Sequence, residues 1–175
     1  MRVFIAVELG ENAKEEIRKI QEKVPDFMGK LTGLENLHLT LKFLGELDDK
    51  QIEKIKQKLR EIKLEKFKAE IDEIGVFNEN FVRIVWVHVN SEKLLELQKS
   101  VDSCLEGLFE KEKRFMSHVT IARVKSLENK KEFLDKLGEI KFEKIKLLVD
   151  KFVLKKSILS EKGPEYEDIE DYQLG

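Results

Sequence analysis

Leu37-His38-Leu39-Thr40-Leu41-Lys42-Phe43-Leu44-Gly45 decides the fold, because its His-x-Thr centre returns 80 residues later as His118-Val119-Thr120-Ile121. The chain holds three histidines and three threonines in all. Two of those histidines have a threonine two positions on, followed by an aliphatic residue, and each pair sits in a run of strand-forming apolar residues. In a strand, residues i and i+2 point to the same side roughly 6.6 Å apart, so each histidine shares a face with its threonine while Leu39, Leu41, Val119 and Ile121 turn the other way. Each copy therefore offers an imidazole and a hydroxyl side by side.

Reading outward from the motifs gives two similar halves. Arg2 to Glu8 is a short β-branched run that reads as a strand in the middle of a sheet. A helix follows, with Asn12 as candidate cap and Ile17, Ile20 and Val24 along one face, stopped by Pro25 and Gly29. After the first motif strand, Leu37 to Phe43, Asp48 is placed to cap a helix to about Ile62. Lys66 to Val76 and Phe81 to Val89 form a hairpin around Asn78-Glu79-Asn80. Ser91 caps a helix to about Phe109, the second motif strand runs from Ser117 to Val124, and a short helix from Glu128 stops at Gly138. Strands at Ile140 to Val149, Lys151 to Leu159 and Tyr166 to about Tyr172 close the chain. The repeated order predicts an α+β fold of residues 1–175 as one bilobal domain. Two pseudo-symmetric lobes of mainly antiparallel sheet would carry helices on the outside, with a central cleft bringing both motifs face to face.

Composition narrows the class of protein. With 41% hydrophobic and 39% charged residues, the chain reads as soluble and globular, and its Lys- and Glu-rich surface fits a thermophile. A net charge of −2 lacks the broad basic footprint of a protein that grips long nucleic acid, so contact with nucleic acid should be local. No secretory leader is visible and no apolar run approaches a membrane span, from which we expect a cytoplasmic protein that does not engage a membrane. The single Cys104 reads as a buried core thiol.

Two imidazoles and two hydroxyls converging on one concave site suit a tetrahedral anion. In-line displacement at a phosphodiester needs one group to take a proton from the attacking oxygen and another, across phosphorus, to give one to the leaving oxygen. Imidazoles titrating near pH 6.5 can hold both states in one molecule. Thr40 and Thr120 would donate to the non-bridging oxygens. Arg123 lies three positions after Thr120, so an unbent strand would point it away from the motif face; only a bend would bring it to the phosphate. The sharper rival is zinc, but a third histidine is available only in His88, and neither motif has an acidic residue beside its histidine. His88 alone reads as an ordinary satisfied histidine, and Phe43, Phe115 and Trp86 as packing before base stacking.

These residues resemble the two-histidine (2H) phosphoesterase superfamily, and within it the RNA 2′,3′-cyclic phosphodiesterases long called 2′-5′ RNA ligases. The likeness runs from Arg2-Val3-Phe4-Ile5-Ala6-Val7 through Glu35 to Gly45, Gly75-Val76-Phe77 with Arg83 to Val87, and Ser117 to Arg123. It ends in Ser157-x-Leu159-x-x-x-Gly163-Pro164-x-Tyr166. The resemblance implies a bilobal fold, no cofactor and no metal, and opening of an RNA terminal 2′,3′-cyclic phosphate to a 2′-phosphate. It also implies reversible joining of such an end to a 5′-hydroxyl through a 2′-5′ bond. By the same resemblance His38 is the proton donor and His118 the proton acceptor, and Arg123 matches the family's arginine after the second motif, beside Thr40 and Thr120 as substrate-binding residues. Ser117, where many relatives have proline, and Leu31, where many have an aromatic residue, bear on nucleotide preference rather than on the reaction. The partners expected are RNA termini, with the protein acting as a monomer. Two other functions fit the same residues: a cyclic phosphodiesterase of small nucleotides such as ADP-ribose cyclic phosphate, and a non-catalytic module that binds RNA ends.

Overall fold

The computed structural model describes residues 1–175. The first half runs β1 (Arg2–Glu8), α1 (Glu11–Lys23), β2 (Met28–Leu31), β3 (His38–Glu46), α2 (Asp49–Leu59) and β4 (Phe67–Val76). The second runs β5 (Ile84–Asn90), α3 (Glu92–Cys104), β6 (His118–Ser126), α4 (Lys130–Gly138), β7 (Ile145–Val149), β8 (Lys151–Ser160) and β9 (Gly163–Gln173). All strands pair antiparallel in one curled sheet of order β7-β4-β5-β6-β3-β1-β8-β9, with β2 added along β6. The expected α+β architecture of two related lobes is what the chain forms. β1 lies inside the sheet, as its continuous apolar run requires.

The repeat goes deeper than the motifs. β5, read at the sequence level as the return of a hairpin, is also the counterpart of β1: each is followed by a helix and then by a motif strand with which it pairs. Helices cross between lobes. α1 leaves β1 but packs on β6 and β7, whereas α3 leaves β5 but packs on β3. One contiguous cluster of 38 buried apolar residues, from Val3 to Leu174, joins both halves. No helix is long and apolar enough to cross a membrane.

Several boundaries differ from the sequence reading, each for a local reason. The Asp48 cap forms with reciprocal bonds to Gln51, and Ser91 caps α3, since both side chains reach an otherwise unpaired first-turn N–H. Asn12 does not cap α1, which starts at Glu11 behind Gly10, two residues earlier than a helix capped by Asn12 would. Rather than ending the helix, Gly29 stands in β2, against the carbonyl of Arg123, where a side chain would clash with that backbone. α3 stops at Cys104 and α4 begins at Lys130, capped by Asn129. Residues 140–144 precede β7 instead of belonging to it, and β5 starts at Ile84 rather than Phe81.

Candidate active site

The two motif strands meet at the centre of the sheet in a single bridged pair, Leu39 opposite Val119. Both side chains are buried, 1% and 0% exposed, so their neighbours in sequence project from the concave face. Antiparallel register then sets His38 beside Thr120 and Thr40 beside His118. Two strands crossing once thus bring all four motif groups to one spot. They line a cleft of about 750 Å³ together with Phe4, Phe43, Phe77 and Tyr166.

A bulge settles the position of Arg123. Across from β5, Val85 pairs with Ala122 but Trp86 with Thr120, so Ile121 and Ala122 share one step and both turn inward, fully buried. The extra residue shifts the alternation, and Arg123 joins the face of His118 and Thr120 in the cleft. The expectation from an unbent strand is therefore corrected. The same defect recurs in β3, where Ala6 pairs with Thr40 but Ile5 with Lys42. Leu41 and Lys42 turn inward and Phe43 takes the place that Arg123 holds in the other lobe, 72% exposed inside the cleft.

Each bulge is held by buried polar groups of the helix beneath it. Gln21 of α1 donates from Nε2 to the carbonyls of Ile121 and Thr32, both at 2.9 Å. Under β3, the Lys42 ammonium, 3% exposed, donates to Asp102 Oδ1 and to the Glu110 carbonyl, each at 2.6 Å. Asp102 also accepts from Gln98 and from the backbone N–H of Glu112, which fixes the loop leading to Arg114 and Phe115 on the cleft wall. Lys42 and this loop were not singled out from the sequence; a lysine inside an apolar strand run was the available sign.

Both imidazoles are oriented alike. His38 Nδ1–H donates to the Asn36 carbonyl at 2.7 Å and His118 Nδ1–H to the Met116 carbonyl at 2.8 Å. A carbonyl can only accept, so in each neutral ring the lone pair sits on Nε2. The rings differ in one contact: Thr40 Oγ1 lies 3.0 Å from Nε2 of His38 and donates to it when the ring is neutral. Aromatic rings pack around both. Phe4 and Tyr166 each lie 5.1 Å from the His38 ring, and Phe77 stands edge-on to His118 at 4.9 Å. Burial pushes both imidazoles below their ordinary range, His38 to about 4. The carbonyl bonds oppose the shift, and for His38 the Lys155 and Arg123 charges add to it.

The remaining candidates fall outside the reacting centre. His88 stands opposite His118 but its Nδ1 is 2.7 Å from Asp72 Oδ1, a satisfied pair. Trp86 packs over Gly75, where a side chain would meet its ring at 2.7 Å, which is a structural role. Cys104 donates from Sγ to the Val101 carbonyl, and burial raises its thiol to about 11, away from nucleophilic use.

Comparison with known proteins finds the same doubling of the chain. The family model of LigT-like phosphoesterases matches twice, over residues 7–86 and 85–166, each match containing one motif. This chain belongs to the LigT-like phosphoesterase family. It is 38% identical to an RNA 2′,3′-cyclic phosphodiesterase of Methanocaldococcus jannaschii, over 98% of this chain and all of that protein. It is 33% identical to one of Thermotoga maritima, over 99% of this chain and 96% of the relative. Among solved structures, the Thermus thermophilus protein TT0787 superposes with a TM-score of 0.80 at 29% identity, covering 99% of this chain and 98% of its own. Escherichia coli LigT, solved with 3′-AMP, shares the fold with a TM-score of 0.79 at 22% identity, covering 99% of this chain and 97% of its own.

Proposed function

We propose that this LigT-like phosphoesterase opens RNA terminal 2′,3′-cyclic phosphates to 2′-phosphates, with His38 as proton donor and His118 as proton acceptor and without a metal. The observation that carries the reading is the Leu39–Val119 register, which sets two imidazoles and two hydroxyls around one point of the concave face. Water attacks phosphorus from the β6 side. His118 Nε2, which no protein group occupies, takes its proton as the P–O bond forms. The P–O3′ bond breaks opposite, and His38 Nε2 delivers a proton to O3′, leaving the phosphate on O2′. Thr40, Thr120 and Arg123 face the non-bridging oxygens, where donors stabilise the charge of the transition state. Exchange with solvent then returns each imidazole to its starting state.

His38 is held neutral before substrate binds, whereas a donor must carry a proton. The anionic phosphodiester supplies the difference, because a negative charge within hydrogen-bonding distance favours the imidazolium and offsets burial. An RNA 5′-hydroxyl in place of water breaks the same P–O3′ bond, its proton going to His118 and the His38 proton to O3′, and leaves a 2′-5′ diester; attack of O3′ back on phosphorus reverses the joining. The activity named for the relatives supports the substrate class. We further propose that the chain acts as a monomer and as one domain; the single core cluster that joins both halves supports the second. Incubation with an RNA ending in a 2′,3′-cyclic phosphate, in EDTA, is expected to give a 2′-phosphate; a 3′-phosphate product or no turnover would falsify the reading.

A further inference from the structure

The cleft carries more positive charge than one phosphate requires. Arg2, Lys30, Arg114, Arg123 and Lys162 line it and none of them enters an ion pair, while the lining holds only two carboxylates, Glu35 and Glu112, the second of them 3.8 Å from Lys42. Lys42, the other cation in the lining, is buried against Asp102 and points away from substrate. A chain of net charge −2 thus gathers five cations free of ion pairs in one cleft. Arg123 sits with the motif groups at the reacting phosphate, one step past Thr120 on its face, which leaves the others without an anion.

Register locates Arg2. β1 has no insertion of its own, so Glu8, Ala6, Phe4 and Arg2 share the concave face, opposite His38, Thr40, Phe43 and Glu46 in turn. Moving outward from the motif groups, the His38 arm of the cleft presents the Phe4–Phe43 pair, with ring centroids 6.1 Å apart, and then Arg2. Arg2 lies four residues beyond Ala6, about 13 Å along the strand. The carboxylate across from it, Glu46, faces the Met1 amino group at 3.4 Å instead.

The chemistry says which part of the substrate enters this arm. In the reaction proposed above, the leaving O3′ is protonated by His38, so the ribose that keeps it lies on the β3 side of phosphorus, and its base and 5′-phosphate continue outward past Phe43. We infer that Arg2 is a second anion subsite, holding the phosphodiester on the 5′ side of the terminal nucleoside, so that the protein reads an RNA end of at least two nucleotides rather than a free cyclic nucleotide. The inference rests on the proposed phosphodiesterase reaction.

The test compares adenosine 2′,3′-cyclic phosphate with a dinucleotide and a tetranucleotide bearing the same cyclic end. The wild-type chain is expected to show a KM about tenfold lower for the dinucleotide, the size of one exposed charge-assisted contact, with little further gain for the tetranucleotide. The salt dependence of log(kcat/KM) should steepen by about 0.7 from mononucleotide to dinucleotide, one phosphate contact's worth. In Arg2→Gln the KM ratio between the two substrates collapses towards one, and Arg2→Lys restores part of it. A merely structural role for Arg2 would move both substrates together and leave the ratio unchanged, which overturns the subsite. Equal KM values in the wild-type chain overturn it as well. Turnover of none of the three substrates would instead remove the reaction on which the subsite depends.

Discussion

At the scale of single residues, the two imidazoles are alike in anchoring and unlike in what touches Nε2. In the proposed mechanism, replacing either by alanine removes one proton-transfer group, and kcat is expected to fall by about 10²-fold or more, with one limb of the pH profile lost in each variant. The depressed pKa of His38 has a second consequence. Between its unfolded value near 6.5 and its folded value near 4, the unfolded chain binds the proton and the folded chain does not. Stability is therefore lost as pH falls through that window. Thermal melts from pH 7 to 4 should show His38→Gln losing less stability on acidification than the wild type, and added phosphate should raise the His38 titration seen by NMR. Equal acid sensitivity of both proteins would contradict the buried neutral ring.

At the scale of elements, the site depends on two bulges and the polar groups beneath them. The Lys42–Asp102 pair holds the β3 bulge and the loop ahead of β6. Lys42→Ala strands a buried carboxylate and is expected to cost about 3–5 kcal/mol in denaturant unfolding. Replacing Lys42 and Asp102 together by apolar residues of similar volume should recover much of that stability while leaving the Arg114–Phe115 wall less fixed, read as a higher KM. Gly75→Ala places a methyl group 2.7 Å from the Trp86 ring, and a loss of about 1–3 kcal/mol is expected. All strands but β2, the helix caps at Asp48 and Ser91 and the face shared by each His-Thr pair were legible in the sequence, because they follow from short-range periodicity and capping. The bulges were not, since the extra residue is defined by what lies on the neighbouring strand. For that reason Arg123 read as pointing away while the structure turns it in.

At the scale of the whole molecule, the halves exchange helices, and this forbids their independence. α1 covers the sheet of the second half and α3 that of the first. Fragments 1–86 and 85–175 made separately would each expose a strand face that the other's helix buries. Neither is expected to give a cooperative melt or to turn over a cyclic phosphate, and a fragment that did either would contradict the exchange. What the sequence determined alone was the doubled motif, its strand setting and, through residue types with the chemistry of in-line displacement, the class of reaction now proposed. Local pattern is enough for those because side-chain alternation and titration range belong to the residue and its near neighbours. The crossing at Leu39 and Val119, the inward turn of Lys42 and Arg123 and the aromatic arm that leads to Arg2 were decided by tertiary structure. They depend on register between strands far apart in the chain, which only the packing of a common core fixes.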